Sequence, residues 1–258
     1  MPERFIQSVE RAVDVLELFI KSNQQRSLKE ISEELSLSKS TVHGIIKTLE
    51  HRGFLQQNET DARYKLGLKL FELGNAVLAD LDVRMLAKPI MNKMVGELQE
   101  TIHLVSFDQN EAIYVEKMDG LQALRIYSQI GKRAPFHCSG VGKAILAYQT
   151  ETEARRLLNQ DELRSFTAHT MTSIDQVIDH LKDVRNLGFA IDDEEMEIGL
   201  RCIAAPIFNH RGEAVAAISC SAPTFRMSGE QFERTIKRVK QACEEISNGL
   251  GFQKRNHA

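Results

Sequence analysis

The sequence predicts an α+β chain in two parts: a small N-terminal winged helix-turn-helix and a larger C-terminal domain built on an antiparallel sheet. Three observations carry this reading. Between Ser27 and Lys65, two short amphipathic segments meet at a tight turn and a polar hairpin follows. Between Thr101 and Ser221, alternating apolar runs flank a block of helical periodicity. The length, 258 residues with 42% hydrophobic and 27% charged, suits two ordinary globular domains. The expected boundaries are 1–66 for the first domain, 67–82 for a connecting helix and 83–258 for the second domain.

The N-terminal elements follow from spacing. Val9, Ala12, Val13 and Leu16 recur at helical intervals, so Ser8–Ile20 is a helix. Ser27 and Glu30 have capping-box spacing, and Leu28, Ile31 and Leu35 form one stripe. Ser36-Leu37 is the turn, and Ser38 caps a second helix whose stripe is Val42, Ile45, Ile46 and Leu49. Phe54–Gln57 and Arg63–Leu66 alternate on either side of Asn58–Ala62, a β-hairpin pattern. Gly67–Ala79 is too apolar for a flexible linker, so it should be a helix packed on a partner subunit.

In the second part, Val83–Leu98 is a helix that Pro89 bends or interrupts. Its methionines, Met85, Met91 and Met94, are read as core filling. Thr101–Phe107, Ala112–Met118 and Leu124–Tyr127 read as strands, the first two joined by Asp108-Gln109-Asn110. A glycine-rich loop, Gly131–Gly142, leads into a helix over Val141–Tyr148. Helices over Thr152–Leu158 and Ile174–Leu187 come next, the first capped by Thr150. Strands over Gly188–Asp192, Cys202–Phe208 and Val215–Ser221 precede a terminal helix, Ser228–Gly249. The order βββ–ααα–βββ–α is similar to the ligand-sensing GAF and PAS folds.

Charge narrows the function. A net charge of −3 argues against a nonspecific polyanion binder. Residues 1–66 hold ten Lys/Arg and ten Asp/Glu, so any electrostatic footprint must come from segregation. Lys39, Lys47, Arg52, Arg63 and Lys65 fall on the second helix and the wing, whereas Glu30, Glu33 and Glu34 crowd the helix before. No apolar run nears the roughly 18 residues of a membrane span. The start, MPERFIQSVERAVDV, lacks the apolar core of a signal peptide. The four cysteines, Cys138, Cys202, Cys220 and Cys243, show no CxxC spacing. A cytoplasmic, reducing location is therefore expected.

Two constellations carry chemistry. On the second helix, Lys39, Ser40, Thr41, His43, Gly44, Lys47 and Thr48 form a face of short polar and cationic groups without a carboxylate. Small hydroxyls admit the backbone to a major groove, and Lys reaches phosphates or guanine edges. With the cap Ser38, the candidates for DNA contact are Lys39, Ser40, Thr41, His43 and Lys47, joined by Arg63 and Lys65 along the wing. Further on, Ser139-Gly140-Val141-Gly142 opens a helix, a turn suited to a carboxylate. Ser219 and Ser221 alternate with Cys220, so their hydroxyls share one face of a strand.

A catalytic or metal-binding reading has its own candidate residues. Cys202 or Cys138 could be a nucleophile with His137 or His169 as base, and Asp192–Glu197 with His137 could hold a metal. No hydrolase signature and no paired His/Cys spacing supports either. Most of the acidic run reads as a solvated loop. The alternative function is a metabolite-binding or hydrolytic α+β domain with an N-terminal protein-interaction module.

The chain resembles the IclR family of bacterial transcriptional regulators over nearly its whole length. The stretches that carry the resemblance are LSLSKSTVHGIIKTLEHRGFL, YKLGLKLFELG, GKRAPFHCSGVGKAILA and DDEEMEIGLRCIAAPIFNHRGEAVAAISCSAP. The resemblance implies a DNA-binding domain, a linker helix and an effector domain, with homodimers, often paired into tetramers, on partly palindromic operator DNA. Some members of that family hold zinc in this domain, but with no paired His/Cys spacing and no hydrolase signature the expectation here is no metal, no cofactor and no enzyme activity. The effectors the resemblance implies are small organic acids, sugar acids among them, which would release or tune a repressor of a catabolic operon. By the same resemblance, the N–H groups of Gly140 and Val141 hold the effector carboxylate. Asp192, Cys202, Ser219 and Ser221 complete a polar shell, and Leu200 forms a wall. His137-Cys138 departs from the family's more apolar pattern and would add two polarisable groups to the site.

Overall fold

The structure, a computed structural model, describes residues 5–22, 25–79, 82–121, 129–160 and 162–253. It divides into two compact units, Met1–Asp80 and Leu81–Ala258.

The first unit contains α1 (Gln7–Ser22), α2 (Leu28–Glu34), α3 (Lys39–His51), β1 (Leu55–Gln57), β2 (Tyr64–Leu66) and α4 (Leu68–Ala79). The capping box forms: Ser27 Oγ accepts from Glu30 N at 3.3 Å, and the Glu30 carboxylate accepts from Ser27 N at 2.8 Å. Across the helix-to-helix turn, Ser32 Oγ donates to Leu37 O at 2.6 Å. Ser38 Oγ then accepts from Thr41 N at 3.2 Å and starts α3. β1 and β2 pair antiparallel from Leu55 opposite Leu66 to Gln57 opposite Tyr64. The core is one cluster: Val15, Leu18 and Phe19 from α1, Ile31 from α2, Val42, Ile46 and Leu49 from α3, and Leu55 and Tyr64 from the hairpin. Arg26 adds a backbone bridge that the pattern did not suggest, donating to Tyr64 O at 3.0 Å and accepting from Tyr64 N at 2.8 Å.

The second unit opens with α5 (Asp82–Leu98), which runs through Pro89 without interruption. The missing N–H costs one helical bond, but Ala87, Met91, Met94 and Leu98 are all buried and hold the helix to the sheet. Met91 and Met94 are core residues, as read; Met85 is exposed.

The strands are β3 (Thr101–Asp108), β4 (Glu111–Met118), β5 (Ala190–Asp193), β6 (Leu200–Phe208) and β7 (Ala214–Pro223). They form one antiparallel sheet in the order β4-β3-β7-β6-β5. The strand expected at 124–127 lies outside the described residues. Just after it, Gly131–Ala134 lies along β4: Gly131 N donates to Tyr114 O at 2.8 Å and Ala134 N to Ala112 O at 2.7 Å. The helices are α6 (Gly140–Leu146), α7 (Glu151–Leu158, capped by Thr150), α8 (Ile174–Leu187) and α9 (Gly229–Gly249).

Alternation divides the sheet into two faces. Ile102, Leu104, Ile203, Ile218 and Cys220 face one side, where α5 and α9 pack. Val105, Ala204 and Ala217 join α6, α7 and α8 on the other. None of the described helices is long and apolar enough to cross a membrane.

Candidate functional sites

Burial of Val42, Ile46 and Leu49 turns the other side of α3 outward. Lys39, Ser40, His43, Gly44, Lys47 and Thr48 are exposed there, and Thr41 is half-buried. Several of these groups already have work within the helix. Ser38 Oγ lies 2.9 Å from Ser40 Oγ and 2.8 Å from Thr41 Oγ1, besides capping α3. Thr48 Oγ1 donates to Gly44 O at 2.9 Å. Lys47 is not a bare cation, because Glu50, one turn on, takes its ammonium at 2.9 Å. Lys39, Arg52 and Lys65 are exposed and enter no ion pair among the described residues. The carboxylates of α2 are engaged with cations of this unit: Glu34 with Arg26, Glu33 with Lys29 at 3.7 Å, and Glu30 with Arg63 at 2.8 Å. The wing cation Arg63 therefore points back to α2.

In the second unit, strand register places the polar groups. Directly opposed residues of antiparallel strands share a face. One row across the sheet reads Asp192, Cys202, Ser221 and Thr101; the next reads Ala204, Ser219 and His103. These rows floor a cavity of about 190 Å³. Gly140 and Val141, at the start of α6, close one side; Leu200, Met196 and Glu197 close another; Tyr114, Lys132 and Arg133 are among the residues that complete the lining. All seven residues named for an effector, Gly140, Val141, Asp192, Leu200, Cys202, Ser219 and Ser221, line this one space.

The turn into α6 is built from its smallest members. Ser139 Oγ donates to Pro135 O at 2.6 Å and accepts from Gly142 N at 3.0 Å. A Cβ on Gly142 would sit 2.4 Å from Pro135 O, so only glycine fits. The N–H groups of Gly140 and Val141, in the first turn, have no carbonyl one turn back within the helix.

Electrostatics follows from enclosure. Burial pushes the Asp192 carboxyl up to about 6, with the nearby Glu195 adding to the effect against the pull of Lys143. Asp192 Oδ1 accepts from Glu195 N at 2.9 Å and Met196 N at 3.3 Å. Burial pulls His103 down to about 3, so its ring is neutral near pH 7. The His103 Nδ1 atom lies 3.5 Å from both Ser219 Oγ and Ser221 Oγ. Burial also pushes the Tyr114 hydroxyl upward.

Sequence reading did not single out His103 or Tyr114. The available signal was an inward strand position occupied by histidine in Thr101–Phe107. His137 and Cys138 do not line the cavity. The His137 Nε2 atom pairs with Arg164 O at 3.0 Å, and Cys138 Sγ turns to Met196 Sδ at 3.1 Å. In the acidic run Asp192 and Glu195 are buried, whereas Asp193 and Glu197 are exposed, as expected for a solvated loop, and several of the carboxylates have partners. Asp193 takes Arg201 at 2.7 Å, Glu194 accepts from Gly199 N at 2.6 Å, and Glu195 takes the buried Lys143. Burial raises the thiols of Cys138 and Cys202, the reverse of what a thiolate nucleophile needs.

A helix-turn-helix with its polar second helix turned outward, carried on one chain with an α+β unit that holds a pocket with polar groups on its floor, defines a DNA-binding transcriptional regulator with a small-molecule domain. The profile described as "IclR helix-turn-helix domain" matches residues 8–59, and that described as "Bacterial transcriptional regulator IclR C-terminal" matches residues 75–248. The chain belongs to the IclR family. It is 36% identical to the Escherichia coli HTH-type transcriptional regulator XynR over 96% of this chain and 98% of that one. It is 32% identical to the E. coli HTH-type transcriptional repressor AllR, over 95% and 91% of the two chains. The crystal structure of Thermotoga maritima IclR superposes with a TM-score of 0.73 at 32% identity, covering 96% of this chain and all of that one. The relatives are named as regulators, and the chain is a regulator rather than an enzyme.

Proposed function

We propose that this regulator represses a small catabolic operon and is released or tuned by a small organic acid in the 190 Å³ cavity. The observation that carries the reading is the convergence of the seven residues on one pocket beside a glycine turn. A carboxylate would sit on the N–H groups of Gly140 and Val141. Ser219, Ser221, Asp192 and His103 would meet hydroxyls, which favours a sugar acid over an alkyl acid. Leu200 would flank the ligand's carbon chain.

The partner is operator DNA. Lys39, Ser40, Thr41 and His43 are assigned to base edges, and Lys47 and Lys65 to phosphates. The working unit is a homodimer, able to pair into a tetramer. Phe5, Ile6, Val9 and Val13 on and before α1, and Leu68 and Phe71 on α4, are exposed apolar groups in each chain. Covering them with a second copy explains why they are apolar. A dimer places two α3 helices about 34 Å apart in successive major grooves. Effector binding shifts a two-state equilibrium with a coupling of roughly 1–3 kcal/mol. The domain limits 1–66, 67–82 and 83–258 and a cytoplasmic location complete the proposal.

The test is a thermal-shift screen of hydroxylated and plain carboxylates, followed by DNA binding with and without any hit. A hit that raises the melting temperature and changes DNA affinity supports the reading. Stabilisation with no change in DNA affinity would refute the switch.

A further inference from the structure

The wing of the first unit is tied down by a side chain that the DNA-contact pattern had assigned to phosphate. Arg63 stands just before β2 and reaches back to α2. Its Nη2 donates to Glu30 Oε1 at 2.8 Å, and its Nη1 donates to Glu30 Oε2 at 3.1 Å and to Gln25 O at 2.8 Å. The same carboxylate closes the capping box on Ser27 N. The residues ahead of α2 are also joined to the hairpin, through the paired Arg26 and Tyr64 backbones and through Asn58 Nδ2 to Gln25 Oε1 at 3.3 Å. β1 and β2 have three residues each and only Leu55 and Tyr64 in the core, so they have little packing of their own to fix their direction. A guanidinium gripped by both oxygens of a carboxylate is fixed in direction as well as place.

We infer that Glu30 and Arg63 are positioning residues for DNA binding: the pair sets the wing so that Lys65 meets the phosphate backbone while α3 occupies the groove, and Arg63 itself touches no DNA. An acidic residue on the helix before the recognition helix is then needed for binding a polyanion. A phosphate-contact role for Arg63 gives the opposite expectation, because removing Glu30 would free a cation.

The experiment uses the full-length protein and a duplex enriched from a random library by the wild type, with a scrambled duplex as control. The variants are E30Q, R63Q, R63K and E30Q/R63Q. Each single variant weakens binding to the enriched duplex by roughly tenfold, and the double variant is no weaker than either. R63K does not rescue, because an ammonium keeps the charge and loses the two-pronged grip. Hydroxyl-radical protection fades over the phosphates flanking the major-groove contact and persists at its centre. Melting temperatures of the variants stay near that of the wild type, since the pair is half exposed. The inference is overturned if E30Q tightens binding, if R63K restores it, or if the losses in the double variant add. It is also overturned if the loss of binding follows a loss of thermal stability.

Discussion

Lys143 and Glu195 meet inside the second unit, the Lys143 ammonium on Glu195 Oε1 with both side chains closed off from solvent. α6 carries the lysine and the turn after β5 carries the glutamate, so the pair ties the floor of the cavity to one of its walls. Burial raises the Glu195 carboxyl even beside the ammonium. Removing one partner from a buried pair leaves an uncompensated charge and costs about 3–5 kcal/mol, whereas apolar replacement of both can be neutral. E195L is expected to cost that amount, because a fully enclosed ammonium remains. K143M costs less, because the raised Glu195 can take up a proton. K143M/E195L returns close to the wild type. Urea denaturation of the full chain measures all three, and equal losses for the two single variants would contradict the account.

Asp192 and His103 pull stability in opposite directions with pH. Asp192 has a folded value of about 6, above its ordinary 3.8, so its contribution is complete below 3.8 and is lost as pH rises through 6. His103 has a folded value of about 3, below its ordinary 6.5, so its contribution is complete above 6.5 and is lost as pH falls toward 3. The two effects overlap between pH 4 and 6 and partly cancel. D192N keeps an oxygen for the N–H groups of Glu195 and Met196 but removes the charge. It is expected to melt about 5 °C above the wild type at pH 7.5, because the buried charge is gone, a gain of ~3 kcal/mol at most. It should also lose stability more steeply on acidification, because His103 then acts unopposed. Melting curves at half-unit pH steps check both signs.

The elements of both units were readable from period and caps because burial acts directly on the pattern. Ser27 with Glu30, Ser38 and Thr150 cap the helices their spacing suggested. The effector residues on β5, β6 and β7 came from family likeness, and only Ser219 with Ser221 could be placed on one face by alternation alone. What the sequence did not show depends on which strands are neighbours. His103 enters the cavity because β3 pairs with β7, although Ser219 lies 116 residues away. Arg63 and Lys65 are equivalent by alternation, yet a carboxylate 33 residues earlier captures one and leaves the other. Of the two outcomes open at Pro89, a bend or an interruption, the helix is not interrupted, and Met91 and Met94 beyond the proline are buried.

Gly142 is packed tightly in the turn whose neighbours Ser139, Gly140 and Val141 line the cavity. A methyl group there would press on Pro135 O at 2.4 Å and Ser139 Oγ at 2.7 Å, both fixed by the turn. G142A should therefore distort the approach to α6 and cost about 2 kcal/mol or more, an overpacking penalty. S139A removes the cap together with the bond to Pro135 O and should cost about 1–2 kcal/mol. Both should reduce thermal stabilisation by a bound acid, G142A more than S139A. DNA binding in the absence of acid should remain, since the first unit has its own core. Loss of DNA binding by G142A without unfolding would show that the turn acts on DNA directly.

Lys39 and Lys65 are both exposed cations, and their places predict different defects. Lys39 is the first residue of α3 and is proposed to reach base edges; Lys65 lies on the hairpin and is proposed to meet the phosphate backbone. K39A should lower affinity for the preferred duplex by about 1–3 kcal/mol and leave a scrambled duplex little changed, so the preference between them shrinks. K65A should weaken both duplexes alike and reduce the slope of log affinity against log salt by about one. T41A should follow K39A in direction with an added loss of stability, because Thr41 also takes part in the Ser38 cap. Binding isotherms on the two duplexes at several salt concentrations separate the cases. A uniform loss from K39A would move that lysine to the phosphates and leave base reading to Ser40, Thr41 and His43.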